Sequence, residues 1–291
     1  MGNKVAAIQM VSSARLDENL ASAARLIAAA AVEGAKLVLL PEVFAVLEGG
    51  PMRQYGEIEG DPTAPIQTFL AEQARSHQLI VVGGTIPLLS RPGKLRGDSE
   101  FLLQDGRIRP ACLVYDSSGK QIARYDKMHL FDVLVDDRQS QYSESRSYEA
   151  GTEVVTVATA IGNLGLSVCY DMRFPELYRD LFQRGAEFVT VPAAFTKVTG
   201  QAHWEILLRA RAIENQCYII AAGQGGQHSP TRETWGHSMI IDPWGTVLDQ
   251  IAYGEGYAIA EIDLELLASI RQRMPIAQHI KLQERISCDL F

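Results

Sequence analysis

The chain has 291 residues, of which 47% are apolar and 21% are charged, a composition typical of a globular protein able to bury a sizeable core. Its 27 basic and 35 acidic residues give a net charge of -8, and no basic cluster with interleaved aromatic residues offsets that charge. A surface of this charge repels phosphate backbones and anionic lipids, so we expect neither nucleic acid nor a membrane as a partner. An acidic substrate would need a locally placed arginine or lysine.

The four cysteines, at positions 112, 169, 217 and 288, show neither CxxC pairs nor the dense, even spacing of a disulfide scaffold. The opening run KVAAIQM has the pattern of a strand rather than of a signal peptide. No segment approaches the roughly 20 apolar residues needed to span a bilayer. We therefore expect reduced thiols and a cytoplasmic location.

Short β-branched runs alternate with helical patterns along the chain, which is typical of an α/β protein. KVAAIQM is followed by helical spacing over residues 16–33 and by the apolar run KLVLL. PELYRDLFQRG and HWEILLRARAIEN predict helices, and the turns DSSGK and DPWGT predict hairpins, so the sheets should be mixed. The further predicted strands, in chain order, are LIVVGGTIP, ACLVYD, QIARYD, LGLSVCYD, EFVTVPAAF, CYIIAAG, HSMIID and YAIAEID.

One pattern occurs twice: a helix, Gly-Ala, a buried strand and a proline. It appears in AAVEGAKLVLLPE, which ends at Glu42, and in LFQRGAEFVTVPAA, which ends at Ala194. Each glycine can stop its helix in the left-handed conformation, and each proline should end strand pairing. Two such units predict two facing sheets, covered outside by helices, whose strand ends open toward one site. No linker-like stretch interrupts the pattern, so residues 1–291 are expected to form a single domain.

Three reactive side chains lie within or just after apolar runs: Glu42 in LVLLPE, Lys127 in RYDKMHLFD and Cys169 in LSVCYD. Each has an ordinary alternative, because a free cysteine is usually a small buried hydrophobe, and a strand-end lysine or glutamate is usually solvated. Together, however, they supply what hydrolysis of an amide by a cysteine requires. That reaction needs a base to activate the thiol and a cation or donor to stabilise the oxyanion.

PEVF, YDKMHLFD and CYDMRFPEL, in this order, resemble the signature of the carbon-nitrogen hydrolase (nitrilase) superfamily, and the similarity runs from about residue 5 to about residue 278. The resemblance implies a four-layer α-β-β-α sandwich with two mixed sheets. It also implies that Glu42 takes the proton of Cys169 and that the thiolate forms a thioester acyl-enzyme. Lys127 and the backbone N–H of Tyr170 would face the oxyanion. Glu144, in QYSESR, matches a second family glutamate that orients Lys127, the alternative being an exposed loop acid.

Rival chemistries find less support in the sequence. His129, His203 and His237 lie in family-like motifs, where packing or hydrogen bonding is the expected role rather than pairing with the thiol. HExxH, zinc-type Cys/His spacing, GxxxxGK[ST] and GxGxxG are all missing from the sequence. We therefore expect neither a metal nor a cofactor.

The resemblance also indicates how the acid end of a substrate would be held. In related enzymes that cleave amides of keto-dicarboxylates, the arginine and the threonine that match Arg173 and Thr199 are associated with the substrate carboxylate. Phe195 would form an apolar wall beside them.

Arg173 has a structural alternative, which is an internal ion pair with Asp171 or Glu176. If that alternative holds, the next candidates for the acid end are Lys197 and Arg232.

The stretch from residue 195 to residue 245 contains TGQAHWE, RARAIENQCY, AAGQGGQH and RETWGHSM, which most resemble family members that release a Cys-Gly dipeptide from a keto-acid amide. We therefore expect a small-molecule amide substrate that yields 2-oxoglutarate and cysteinylglycine, in a pocket open on the leaving side. Two alternatives stay open: a monoamide of a small keto-dicarboxylate as substrate, and a binding or scaffold protein without turnover. The complete Glu, Lys, Cys set argues against the scaffold. Loops 88–100 and 133–148 match less closely and are predicted to shape the pocket rim.

Chains that resemble this one pair through their outer helices. We therefore expect at least a homodimer, with the C-terminal tail of about residues 275–291 contacting the partner subunit through its apolar end ERISCDLF.

Overall fold

Fifteen strands and six α-helices follow one another in the computed structural model, which describes residues 3–48, 50–94 and 97–281. The strands are β1 Asn3–Gln9, β2 Leu37–Leu39, β3 Ile80–Val82, β4 Ile86–Leu88, β5 Arg109–Tyr115, β6 Gln121–Asp126, β7 Asp132–Leu134, β8 Gln141–Ser143, β9 Thr156–Thr159, β10 Gly162–Leu166, β11 Phe188–Ala193, β12 Tyr218–Gly223, β13 Ser238–Ile241, β14 Val247–Ile251 and β15 Gly256–Ile262. The α-helices are α1 Leu16–Val32, α2 Pro65–His77, α3 Pro175–Gln183, α4 Lys197–Asn215, α5 Leu264–Arg273 and α6 Ile276–His279. Short 3₁₀ helices span Met52–Tyr55, Glu144–Arg146 and Cys169–Arg173.

The strands form two large mixed sheets and one small hairpin, as the alternating pattern and the hairpin turns predict. The first sheet has the order β15-β1-β2-β3-β5-β4, with β6 paired to β5, and β1, β2 and β3 are parallel. The second sheet has the order β14-β13-β12-β11-β10-β9, with β10, β11 and β12 parallel. The turns DSSGK and DPWGT join the antiparallel pairs β5-β6 and β13-β14.

The two faces of the first sheet pack against different layers, because successive side chains of a strand point in opposite directions. Val5 and Ala7 of β1 join a core formed largely by the second sheet, whereas Ala6 and Ile8 join a core that contains Ile27 of α1. Helices α1 and α2 therefore cover the outer face of the first sheet, and α3 and α4 cover the second. The prediction of two facing sheets with helices outside is confirmed.

Both units of the repeated pattern end their helices as predicted. Gly34 and Gly185 have φ values of +91° and +82°, the left-handed conformation that glycine adopts at low cost.

The prediction that both prolines end strand pairing is wrong for the second unit. β11 includes Pro192, which is paired with Ala222 of β12. Thr190, two residues earlier, has its carbonyl oxygen directed at the β10 side, so the nitrogen of Pro192 also faces that side, where β10 has already ended. A proline is tolerated in a strand where its missing N–H faces no partner strand.

Helix α4 begins at Lys197, six residues before the predicted start, because the side chain of Thr196 caps it by accepting a hydrogen bond from the N–H of Thr199. Its first turn contains Gly200, where a Cβ atom would lie 2.3 Å from the side chain of Trp235.

The strand predicted over LGLSVCYD is shorter than expected: β10 ends at Leu166, three residues before Cys169. ERISCDLF lies outside the described residues. No helix of the described ranges is long and apolar enough to cross a bilayer.

Candidate active site

A cavity of about 500 Å³ opens between the ends of strands from both sheets. Lys127 is fully buried and lies beside it, whereas Arg173 does not line it. The predicted site residues that line the cavity are Glu42, Glu144, Cys169, Tyr170, Phe195 and Thr199.

Lys127 is the electrostatic centre of the site. It follows β6 directly, and its side chain has no exposed surface. Its Nζ atom lies 2.8 Å from Glu42 Oε1 and 3.0 and 2.8 Å from the two carboxylate oxygens of Glu144. A buried ammonium that meets two carboxylates has its donors satisfied, so the three side chains hold one another in place.

Glu42 is positioned from both sheets. It follows β2 of the first sheet, and its Oε2 accepts a hydrogen bond of 2.9 Å from the N–H of Ala194, just after β11 of the second sheet. The segment that carries Glu42 packs directly against Gly84, where any other residue would place its Cβ atom 2.0 Å from the carbonyl oxygen of Pro41. The carboxylate is therefore held with little freedom.

Cys169 begins the 3₁₀ helix that follows β10 and has a left-handed backbone, with φ of +49°. A non-glycine residue in this conformation costs on the order of 1 to 3 kcal/mol and persists only where its surroundings determine it. The side chain is 7% exposed and lines the cavity, whereas Cys112 and Cys217 are 0% and 1% exposed. Of the three cysteines in the described ranges, Cys169 is thus the one at the cavity.

Asp171 fixes the turn that presents Cys169. Its Oδ2 accepts hydrogen bonds from the hydroxyl of Tyr125 at 2.7 Å and from the N–H of Val168 at 2.8 Å. Its Oδ1 accepts from the backbone N–H of His129 at 3.0 Å and lies 2.7 Å from the ring nitrogen Nδ1 of that residue. Sequence reasoning missed this role, because two of the three partners, Tyr125 and His129, stand more than 40 positions from Asp171.

Opposing charges determine the protonation of the site. Burial alone would lower the pKa of Lys127, but the charges of Glu144 and Glu42 outweigh burial and raise that pKa well above its ordinary value. Burial raises the pKa of Glu144, and Lys127 opposes the rise. Burial and the nearby charge of Glu42 raise the pKa of the Cys169 thiol well above its ordinary value, although Lys127 acts in the opposite direction. The resting thiol is therefore protonated and lies close to a carboxylate that can take the proton.

Glu144 lies on a short 3₁₀ helix after β8, and besides Lys127 it accepts a hydrogen bond of 2.8 Å from the N–H of Phe131. The alternative of an exposed loop acid does not describe it. Segment 133–148 also contributes Gln139, Tyr142 and Ser143 to the cavity wall. The described part of segment 88–100 contributes no lining residue, so the prediction that this loop shapes the rim finds no counterpart in the part of the chain that the structure covers.

Arg173 forms neither of the ion pairs considered for it, because among the described residues no carboxylate lies within ion-pair distance of its guanidinium. Both of its terminal nitrogens lie 3.3 Å from Nδ1 of His203. The guanidinium carbon lies 5.8 and 5.5 Å from the ring centroids of Tyr170 and Phe195, which line the cavity. Thr199, also in the wall, has its hydroxyl 2.8 Å from that of Thr196.

The three histidines of the family-like motifs have structural contacts. His129 stacks on Phe174, with ring centroids 3.6 Å apart, and contacts Asp171. His203 contacts Arg173, and Nδ1 of His237 lies 2.9 Å from a backbone carbonyl oxygen two residues before it. In the described ranges, no cluster of three or more His, Cys, Asp or Glu side chains is arranged to hold a metal ion.

Comparison with known proteins gives a consistent result along the chain. A sequence model of the family described as carbon-nitrogen hydrolase matches residues 4–272. Among curated proteins, the deaminated glutathione amidase of Synechocystis is 44% identical to this chain over 276 residues, which cover 94% of this chain and 96% of that protein. The deaminated glutathione amidases of Yersinia enterocolitica and of Homo sapiens are 41% and 39% identical, each over 94% of this chain, and are themselves covered to 92% and 81%.

A solved structure has the same fold. The crystal structure of Saccharomyces cerevisiae Nit3, described as a member of branch 10 of the nitrilase superfamily, superposes with a TM-score of 0.82 at 31% identity. The match covers 98% of this chain and 97% of that one.

Proposed function

The chain belongs to the carbon-nitrogen hydrolase family, and on that premise we propose that it hydrolyses the amide bond of deaminated glutathione to 2-oxoglutarate and cysteinylglycine. As a family member it is a hydrolase of carbon-nitrogen bonds other than peptide bonds and acts on a small-molecule amide. One observation carries the mechanism: the buried ammonium of Lys127 holds Glu42 and Glu144 beside the Cys169 thiol at a cavity wall.

In the proposed mechanism, Glu42 accepts the proton of Cys169 while the sulfur attacks the amide carbonyl carbon. The carbon-nitrogen bond breaks, Glu42 returns the proton to the leaving nitrogen, and cysteinylglycine departs from the thioester. A water molecule then attacks the thioester carbon and gives a proton to Glu42. The thiolate leaves and regains that proton, and 2-oxoglutarate is released.

Two donors stabilise the oxyanion in this proposal. The pKa of Lys127 is raised by its carboxylate neighbours, so the ammonium remains charged at neutral pH. The N–H of Tyr170 belongs to the first turn of a 3₁₀ helix, where an N–H has no acceptor within the helix. Loss of one such donor typically lowers kcat by about a hundredfold to a thousandfold. Glu144 acts on this step through its ion pair with Lys127.

Arg173 binds the keto-acid carboxylate in this proposal, with Thr199 and Phe195 beside it. Replacement of Arg173 by Met should lower the specificity constant for acidic amides by about tenfold or more, since charge-assisted hydrogen bonds contribute roughly 1.5 to 3 kcal/mol. Short neutral amides should be affected much less. Equal losses on both kinds of substrate would mean that Arg173 only holds His203 and the neighbouring rings.

The decisive test is a hydrolysis panel on the purified chain. We expect a higher specificity constant for deaminated glutathione than for α-ketoglutaramate, and no turnover by the Cys169→Ala variant. A preference for α-ketoglutaramate would make the chain an omega-amidase. Complete retention of activity by Cys169→Ala would contradict the cysteine mechanism and indicate another chemistry, whereas a wild type that hydrolyses none of the panel would favour a scaffold.

The enzyme is proposed to act in the cytoplasm and to form a homodimer, because its cysteines are not spaced as a disulfide scaffold and similar chains pair through outer helices.

A further inference from the structure

Arg232 lies in the segment between β12 and β13 and lines the cavity. Its guanidinium carbon is 5.1 Å from the ring centroid of Tyr142, and its Nη1 donates a hydrogen bond of 3.1 Å to Oε1 of Gln139. Arg232 thus joins its own segment to the cavity-lining part of segment 133–148. Neither contact carries a negative charge.

Arg232 forms no ion pair with the described residues, although Glu48 also lines the cavity. Its Nε is buried and has no hydrogen-bond partner in the described ranges, where no carboxylate lies within ion-pair distance of the guanidinium. The carboxylates of Glu42 and Glu144 are held by Lys127. A buried donor without a partner is uncommon, and an arginine fork suits a carboxylate. A cavity wall with such a group favours an anionic ligand.

Lys197, the other candidate that the sequence offers, is already engaged. Its Nζ lies 2.9 Å from Glu233 Oε1, and its side chain is 55% exposed. It does not line the cavity.

The two arginines therefore occupy different places. Arg173 lies outside the cavity lining, against the rings of Tyr170 and Phe195, whereas Arg232 is part of the lining and lies over Tyr142. Gln139, the hydrogen-bond partner of Arg232, is exposed, which places Arg232 toward the mouth of the cavity.

We propose that Arg232 binds the glycine carboxylate of the cysteinylglycine leaving group, an inference that rests on the proposed function. Deaminated glutathione has an acid at each end, and two extended residues separate its scissile amide from the glycine carboxylate by about 7 Å. The acyl part stays on Cys169 after the first step, whereas the leaving group must depart through the mouth. A cation toward the mouth therefore meets the second acid, which α-ketoglutaramate does not have.

The test is a double-mutant cycle that removes the cation from the enzyme and the charge from the substrate. Arg232→Met is compared with the wild type on deaminated glutathione and on its C-terminal carboxamide. The variant should lose about tenfold or more in specificity constant on the acid, whereas on the carboxamide the two enzymes should differ by about twofold or less. Hydrolysis of α-ketoglutaramate by the variant should also stay within about twofold of the wild type.

Arg138→Met is the matched control. Arg138 is exposed, lies beside Gln139 and donates a hydrogen bond of 3.0 Å to the carbonyl oxygen of Pro230, so its removal disturbs the same two segments without removing a cavity cation. It should change none of the three activities by more than about twofold. A loss by Arg138→Met equal to that of Arg232→Met would assign the effect to loop docking and overturn the inference.

Other outcomes separate the inference from the proposed function. Equal loss by Arg232→Met on all three substrates, or on the acid and its carboxamide alike, overturns the role of Arg232 and leaves the proposed function intact. A wild-type enzyme that cleaves α-ketoglutaramate but not deaminated glutathione overturns both. In contrast to Arg232→Met, the Arg173→Met variant should lose activity on all three substrates, because each of them carries the keto-acid carboxylate.

Discussion

Cys169 combines a protonated resting thiol with access to the cavity, and this combination determines its expected reactivity. Burial raises the pKa of Cys112 and Cys217 to about 12, and neither of them lines the cavity. Iodoacetamide should therefore label Cys169 faster than these two, and labelling should abolish hydrolysis. Peptide mapping after partial labelling measures the order, and preferential labelling of Cys112 or Cys217 with unchanged activity would contradict the assignment.

The charge of Glu42 should have opposite effects on alkylation and on hydrolysis. Because this charge raises the pKa of Cys169, Glu42→Gln should lower that pKa and move the pH profile of alkylation to lower pH. Hydrolysis should nevertheless fall by about a hundredfold or more, since glutamine cannot carry the proton. An unchanged alkylation profile would mean that Glu42 does not act on the thiol.

Lys127 should be essential for stability as well as for turnover. Lys127→Met leaves Glu42 and Glu144 buried together without a cation, and breaking a buried ion pair typically costs about 3 to 5 kcal/mol. Carboxylates with a raised pKa in the folded state destabilise it as pH rises, so the variant should lose more free energy of unfolding at pH 8 than at pH 5. Urea unfolding at both pH values measures this.

A second substitution distinguishes charge repulsion between Glu42 and Glu144 from the loss of packing by the Lys127 side chain. Adding Glu144→Gln to Lys127→Met removes one of the two negative charges, so it should restore part of the lost stability at pH 8 without restoring activity. If it restores none, steric loss of the lysine side chain explains the effect.

Single residues were predictable only in part. The motifs place Glu42, Lys127 and Cys169 beside strands, and the family resemblance groups them. The Lys127–Glu42 contact joins residues 85 positions apart, and the hydroxyl of Tyr125 reaches Asp171 across 46 positions. Contacts of this kind follow from the tertiary fold and not from a local motif.

At the scale of elements, the segment between β12 and β13 contains a half-buried histidine that is neutral at pH 7. His228 Nδ1 lies 2.8 Å from the carbonyl oxygen of Ser12, and Nε2 lies 2.7 Å from Thr234 Oγ1. Burial lowers the pKa of His228 from 6.5 to about 4. As the pH falls from 6.5 toward 4, His228 binds a proton in the unfolded chain but not in the folded chain. The free energy of unfolding therefore decreases toward low pH.

Replacing His228 by Gln should remove that proton linkage. Between pH 7 and pH 4.5, the wild type should lose on the order of 2 kcal/mol more free energy of unfolding than His228→Gln does. Urea unfolding at the two pH values measures both losses. Equal losses would mean that His228 titrates normally in the folded chain.

Elements with a strong local signal were predictable, and those set by tertiary contacts were not. The helix ends at Gly34 and Gly185 follow from local chemistry. The early start of α4 rests on the local cap of Thr196, which the sequence analysis overlooked. The strand position of Pro192 depends on the end of β10, which no local pattern reveals. Helix α2 was not recognised because few of its residues are apolar and buried, among them Ile66, Leu70 and Ala74.

At the scale of the whole molecule, the two sheets with outer helices were predictable, but the assembly stays a prediction. Helix α4 exposes Val198, Ile206 and Ile213 to 46%, 71% and 48%, as expected of an outer helix that covers a partner. Light scattering at micromolar concentration should give at least twice the chain mass of 32.0 kDa. A mass of one chain would contradict the homodimer.

The hydrogen bond from Ala194 to Glu42 spans the two sheets, and Cys169 and Lys127 likewise come from opposite sides of the interface between them. The proposed base and nucleophile are therefore aligned only while the two halves of the molecule keep their mutual position. A sliding of one sheet by about 1 Å, too small to alter secondary structure, is enough to reduce a rate severely. The rate of hydrolysis should therefore fall when the packing between the two sheets loosens, before the chain unfolds.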